Sequence, residues 1–124
     1  MGLDAYINER VDGNIEEICY FRKFFPLENL AADIWARLPT NKRNGKRPDD
    51  FNCEALYLTE SMLKQFESLC DNILSGEWVS GFSKLDTEAM IEHYSVYAEY
   101  LKKKLPEIYE RVRDGKEVFY TSWW

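Results

Sequence analysis

Eight residues near the two ends of the chain carry side chains suited to holding a ligand: Asp4, Glu17, Tyr20, Arg22, Lys23, Tyr120, Ser122 and Trp123. Carboxylate, guanidinium, hydroxyl and indole groups brought together could bind a small anionic or nucleotide-like molecule. The Arg fork would grip the anion and the ring would stack on a base. The structural alternative is a network in which Arg22 pairs with Asp4 or Glu17 and satisfies buried polar groups. A second set comprises Trp78 and Phe82 in a short polar stretch, with Arg43 and Arg47 in a longer one. Trp and Arg are frequent anchors of protein interfaces, so these four are candidate partner-binding residues.

Catalytic patterns are absent from the sequence. His93 has no nucleophile at a defensible spacing and reads as a boundary histidine on a helix. Gly45-Lys46 lacks the upstream Gly and the following Ser or Thr of a phosphate-binding loop. Cys19, Cys53 and Cys70 form no CxxC pair and the chain has one His, so no metal site is expected. Cys70 falls on an apolar helical stripe and reads as core, while Cys53 adjoins a loop and is the thiol expected at the surface. The sequence therefore predicts neither an enzyme nor a cofactor.

The elements that must position these residues follow from periodicity. Leu3, Ala5 and Ile7 alternate with Asp4, Tyr6 and Asn8, a half-buried strand. Asp12-Gly13-Asn14 is turn chemistry, and residues 15–22 return as a second strand, giving a hairpin. Pro26 suits a first helical position, Leu27, Leu30, Ala31, Ile34, Trp35 and Leu38 recur at helical spacing, and Pro39 ends the run. Residues 39–52 are a long polar loop, expected to be the most mobile segment. Ala55-Leu56-Tyr57-Leu58 reads as a short strand, and Thr59 as the cap of a helix striped by Leu63, Phe66, Leu69, Cys70, Ile73 and Leu74, with Gly76 as its stop. Residues 77–85 read as an ordered loop. Asp86 or Thr87 caps the longest helix, whose apolar face holds Met90, Ile91, Tyr94, Tyr97, Ala98, Leu101 and Leu105. Pro106 kinks it or starts a new turn, and residues 116–122 form a last strand. The order β-β-α-β-α-α-β predicts one α+β domain over residues 1–124, with helices packed on one face of a small, mostly antiparallel sheet containing both chain ends.

Three of these segments resemble a family of small phage and prophage proteins of no assigned function. They are the opening Met-Gly-Leu-Asp-x-Tyr, the strand Glu-x-x-Tyr-aromatic-Arg-Lys at 17–23, and the closing aromatic-Tyr-x-Ser-Trp at 119–123. In that family the second segment commonly reads Tyr-Trp-Arg-Lys and the third Tyr-Tyr-x-Ser-Ser-Trp. Leu56-Tyr57-Leu58-Thr59 before an amphipathic helix is similar as well. The family follows Arg-Lys with a polar stretch containing Asn and His, where this chain has Phe24, Phe25, Pro26 and Glu28.

Charge and composition narrow the function classes. The 124 residues carry a net charge of −6, and 15% are aromatic, more rings than one small core usually needs. Residues 53–95 hold eight acids and two bases, whereas 40–52 hold four bases and two acids. The acidic middle disfavours direct nucleic-acid binding. No apolar run reaches the ~20 residues that span a bilayer, and neither a secretory signal nor an even cysteine set is present. A cytoplasmic protein is expected. The resemblance and the composition together imply a phage-encoded accessory protein that binds a host protein or complex, for instance inhibiting a host enzyme or defence assembly. Alternatives are a small-molecule or nucleotide-binding protein using the Arg22–Trp123 cluster, and an acidic nucleic-acid mimic.

Overall fold

The computed structural model describes residues 2–78 and 87–124. Strands β1 (Asp4–Val11) and β2 (Asn14–Arg22) lead into helix α1 (Phe25–Ala36) and a short 3₁₀ helix (Thr40–Arg43). Strand β3 (Ala55–Tyr57), helices α2 (Glu60–Ser75) and α3 (Thr87–Arg113), and strand β4 (Glu117–Trp123) complete the chain. The sheet is antiparallel throughout, in the order β2-β1-β4-β3. The fold is α+β, and both ends of the chain lie side by side at its centre, with Asp4 opposite Trp123 and Arg10 opposite Glu117.

Local chemistry explains the boundaries. Asp12 (φ 50°) and Gly13 (φ 82°) form a two-residue turn with both central φ positive, the geometry that matches strand twist in a tight hairpin. Thr59 accepts a hydrogen bond from the Met62 N–H at the start of α2, and Gly76 (φ 82°) ends that helix in the left-handed region. Pro26 stands in the first turn of α1, where no N–H is needed. Pro106 lies inside α3, which continues through it to Arg113.

Alternation gives the sheet two unlike faces. Leu3, Ala5, Ile7, Phe21, Leu56 and Tyr120 are buried against the helices. Their partners there include Leu27, Trp35, Leu63, Phe66, Leu101 and Leu105, all essentially without exposure. Rings bridge the layers: Trp35 meets Phe51, Phe51 stacks on Tyr120, and Phe66 meets Tyr120 edge-on. The core thus absorbs many of the aromatic residues. Asp4, Tyr6, Tyr20, Arg22, Thr121 and Trp123 lie on the opposite face, which no helix among the described residues covers.

A β-bulge at Ile18 keeps this alternation in step, since Ile7 faces Cys19 and Asn8 faces Glu17. At the hairpin end, Arg111 of α3 donates to Glu9 (2.8 Å), Glu107 (2.7 Å) and Glu16 (3.4 Å). Glu9 is buried there, so its carboxylate requires this partner.

Candidate functional site

The strand register assembles part of the expected cluster and divides the rest. Asp4 of β1 lies opposite both Arg22 of β2 and Trp123 of β4, so the three form one row across the open face. Tyr20 Oη donates to Asp4 Oδ1 at 2.6 Å, and Arg22 Nη1 approaches the same oxygen at 3.4 Å. The bond to the Asp4 carboxylate pushes the Tyr20 phenol above its ordinary range. Arg22 and Trp123 keep 55% and 58% of their surface in solvent, so the row is a surface feature. Gly2 packs against it: a Cβ there would stand 3.2 Å from the Arg22 guanidinium.

The other members of the cluster sit elsewhere. Tyr120 and Ser122 point to the helix side of the sheet, because they alternate with Thr121 and Trp123 along β4. They cannot share a pocket with Arg22 and Trp123, and the single eight-residue pocket is corrected accordingly. Tyr120 Oη instead donates to Glu28 Oε1 at 2.8 Å, and Trp124 Nε1 donates to Glu28 Oε2 at 3.2 Å. Burial, and then the Glu28 carboxylate, push the Tyr120 phenol well up. Glu17 is exposed opposite Asn8, towards the far end of β2. Lys23 lies beyond β2 with φ 55°, its N–H bonded to Leu3 O at 2.8 Å, and lines a surface depression with Phe25 and His93.

The partner-binding set is rearranged too. Arg43 is 8% exposed, not a solvated loop charge. Its guanidinium lies over the Trp35 ring and donates to the carbonyls of Lys46, Ala36 and Leu38. Five N–H donors in a planar fork let one side chain satisfy three carbonyls, one at the end of α1 and two beyond it, so Arg43 anchors the 39–52 loop to that helix end. A side chain so buried cannot serve as an exposed interface anchor. Arg47 is exposed but forked onto Asp49 at 2.9 and 3.2 Å. Trp78 is half-buried, edge-on to Tyr94 at 5.5 Å, so its ring is partly spent on packing. Phe82 lies outside the described residues.

Four residues that the sequence reading passed over complete the open face. Tyr6 meets Tyr20 with ring centroids 5.2 Å apart, Tyr57 meets Phe119 at 5.6 Å, and the Arg10 guanidinium lies 5.5 Å above Phe119. Their signal was available in parity: Tyr6, Tyr57 and Phe119 each adjoin a core residue of their own strand, and Arg10 adjoins the buried Glu9. Burial also divides the thiols. Burial pushes Cys19 and Cys70 up to about 12, whereas Cys53 is exposed. Several acids of the middle segment are already engaged by α3. Glu60 binds Arg113, Glu67 accepts from Tyr109 Oη, and Asp71 binds Lys102.

No family model, curated protein or solved structure matches this chain. Among the described residues no group of three His, Cys, Asp or Glu side chains is placed to hold a metal ion, and no helix is long and apolar enough to cross a membrane. What the described surface offers is a ring-rich sheet face with charged corners.

Proposed function

We propose that this chain is a phage-encoded accessory protein that binds a host protein through the open face of its sheet. The observation that carries this reading is the Arg22–Asp4–Trp123 row, continued by Tyr6, Tyr20 and Tyr57. Arg22 and Tyr20, both tied to the Asp4 carboxylate, and Tyr6, packed on Tyr20, lose little freedom on docking, and Trp123 adds an exposed ring. Blocking a host enzyme or defence complex is the action that such docking would have. Cytoplasmic residence accompanies this reading.

The test is capture from bacterial lysate by the wild-type chain and by an Arg22→Ala/Trp123→Ala double variant, with circular dichroism as the check on folding. Residues of this kind each contribute about 2 kcal/mol or more when central to an interface. The double variant should therefore lose the captured protein while keeping its fold. Equal capture by both proteins would move the interface off this face. A thermal melt with nucleotides or phosphate runs alongside, and a wild-type shift that disappears in the same variant would favour the small-ligand alternative.

A further inference from the structure

The two edges of the sheet differ in what meets their outward backbone groups. Leu58 N–H bonds Val118 O at 2.8 Å, and Leu56 faces Tyr120 two residues along. In an antiparallel ladder the intervening residues turn their N–H and C=O away from the partner strand. Ala55 and Tyr57 therefore present these groups at the outer edge of β3. Among the described residues no side chain or backbone group bonds them.

A groove of about 370 Å³ runs beside that edge, lined by Leu38, Asn41, Lys42, Asn44, Tyr57 and Met62. The buried Arg43 holds its far wall by tying down the carbonyls of Ala36, Leu38 and Lys46. One Lys and no carboxylate line the groove, in a chain of net charge −6. Its lining supplies apolar contact from Leu38 and Met62, amide donors from two Asn side chains, and one cation.

We propose that the free edge of β3 takes up an extended acidic peptide segment of a partner protein as an added strand. Main-chain hydrogen bonds to Ala55 and Tyr57 would give the register, Leu38 and Met62 would take alternate apolar side chains, and Lys42 would face a carboxylate. A second copy of this chain fits less well, because it would bring its own Lys42 to the same groove. This surface stands apart from the Arg22–Trp123 corner, so either site can fail without the other.

Amide hydrogen exchange by NMR tests the proposal directly. The probe is an acetylated and amidated heptapeptide, Val-Glu-Val-Thr-Val-Glu-Val, set against its Lys-for-Glu counterpart. In the free protein the Ala55 and Tyr57 amides should exchange readily, and the acidic peptide should slow both by about tenfold or more. Ala55→Pro removes one outward donor without touching the ladder to β4, and Lys42→Glu reverses the groove's charge. Each should weaken peptide binding by about tenfold, as should the Lys-for-Glu peptide. The proposal is overturned if the two amides are already slow in dilute free protein, if millimolar peptide leaves them unchanged, or if the basic peptide protects them equally. Protection that rises with protein concentration in the absence of peptide would identify a second copy as the occupant and likewise overturn it.

Discussion

At the β2 edge, the outward N–H of Tyr20 donates to Tyr100 Oη at 3.3 Å and that of Arg22 to Tyr97 Oη at 3.0 Å. The Arg22 carbonyl lies 2.9 Å from His93 Nε2, and since a carbonyl only accepts, that nitrogen carries the proton. At the β3 edge the equivalent groups of Ala55 and Tyr57 face a groove. One helix explains the difference. α3 presents His93, Tyr97 and Tyr100 at spacings of four and three residues, which align along one side of a helix. Phe21 and Phe24 hold the Tyr97 ring in place, at 5.6 Å each. An unprotected edge invites pairing with another chain, and here one edge is shielded while the other is left open. The shielded edge serves stability, and the open one leaves outward backbone groups for the strand addition proposed above.

Proline substitution is the sharpest way to break this comparison. Arg22→Pro removes an N–H that Tyr97 uses and sets the ring against α3. It should cost about 3 kcal/mol or more in urea unfolding. Ala55→Pro removes an N–H that faces solvent, at the first residue of an edge strand, and should change stability by less than about 1 kcal/mol. Equal losses at the two positions would mean that the β3 edge is covered. Arg22→Ala is instructive beside them. Its pair with Asp4 is half in water, so losing the side chain alone should cost about 1 kcal/mol or less.

The wall of the open groove gives the next largest effect. Arg43→Ala strands three backbone carbonyls and uncovers Trp35, so a loss of about 2 kcal/mol is expected in the same unfolding measurement. Arg43→Lys should recover little, because a single ammonium cannot reproduce the planar fork. If Arg43→Ala unfolds like wild type, the loop is held by something else, and Arg43 returns to the list of surface charges.

The residues that misled and those that guided differ in a physical way. Strands β1 and β2, their Asp12-Gly13 turn, the Thr59 cap and the Gly76 stop were legible, because each depends on neighbours within a few positions. The burial of Arg43 was not. A basic residue in a polar loop looks solvated until the carbonyls around it are known, and no periodicity marks them. Tyr97 fell where a core stripe would put it and Tyr100 lay outside that stripe, but their hydroxyls act on residues 75 and 80 positions away. Tyr120, Ser122 and Trp123 were grouped by proximity in sequence, although strand parity separates the first two from the third. The parity was present in the sequence. The contact with Glu28 that gives it meaning depends on α1 packing over β4.

Thiol chemistry separates the two edges with the smallest disturbance to the fold. Cys19 lies in β2 without exposure, and Cys53 lies just before β3 in solvent. Only a thiolate reacts readily with iodoacetamide. With Cys19 and Cys70 held up to about 12 by burial, native protein at about pH 8 should acquire one adduct, on Cys53, by mass spectrometry. Unfolding in urea should expose all three cysteines to modification. The same burial sets a sign for alkaline stability. Below the ordinary thiol value of 9.0 both folded and unfolded chains keep these protons, and the contribution is fully present. Above it the unfolded chain releases them first, so stability should fall as pH rises from 9.0 towards 12. The raised phenols of Tyr120 and Tyr94 push in the same direction. A second adduct on native protein at about pH 8, located on Cys19, would show that the β2 edge opens, and the contrast between the edges would then be one of dynamics and not of covering.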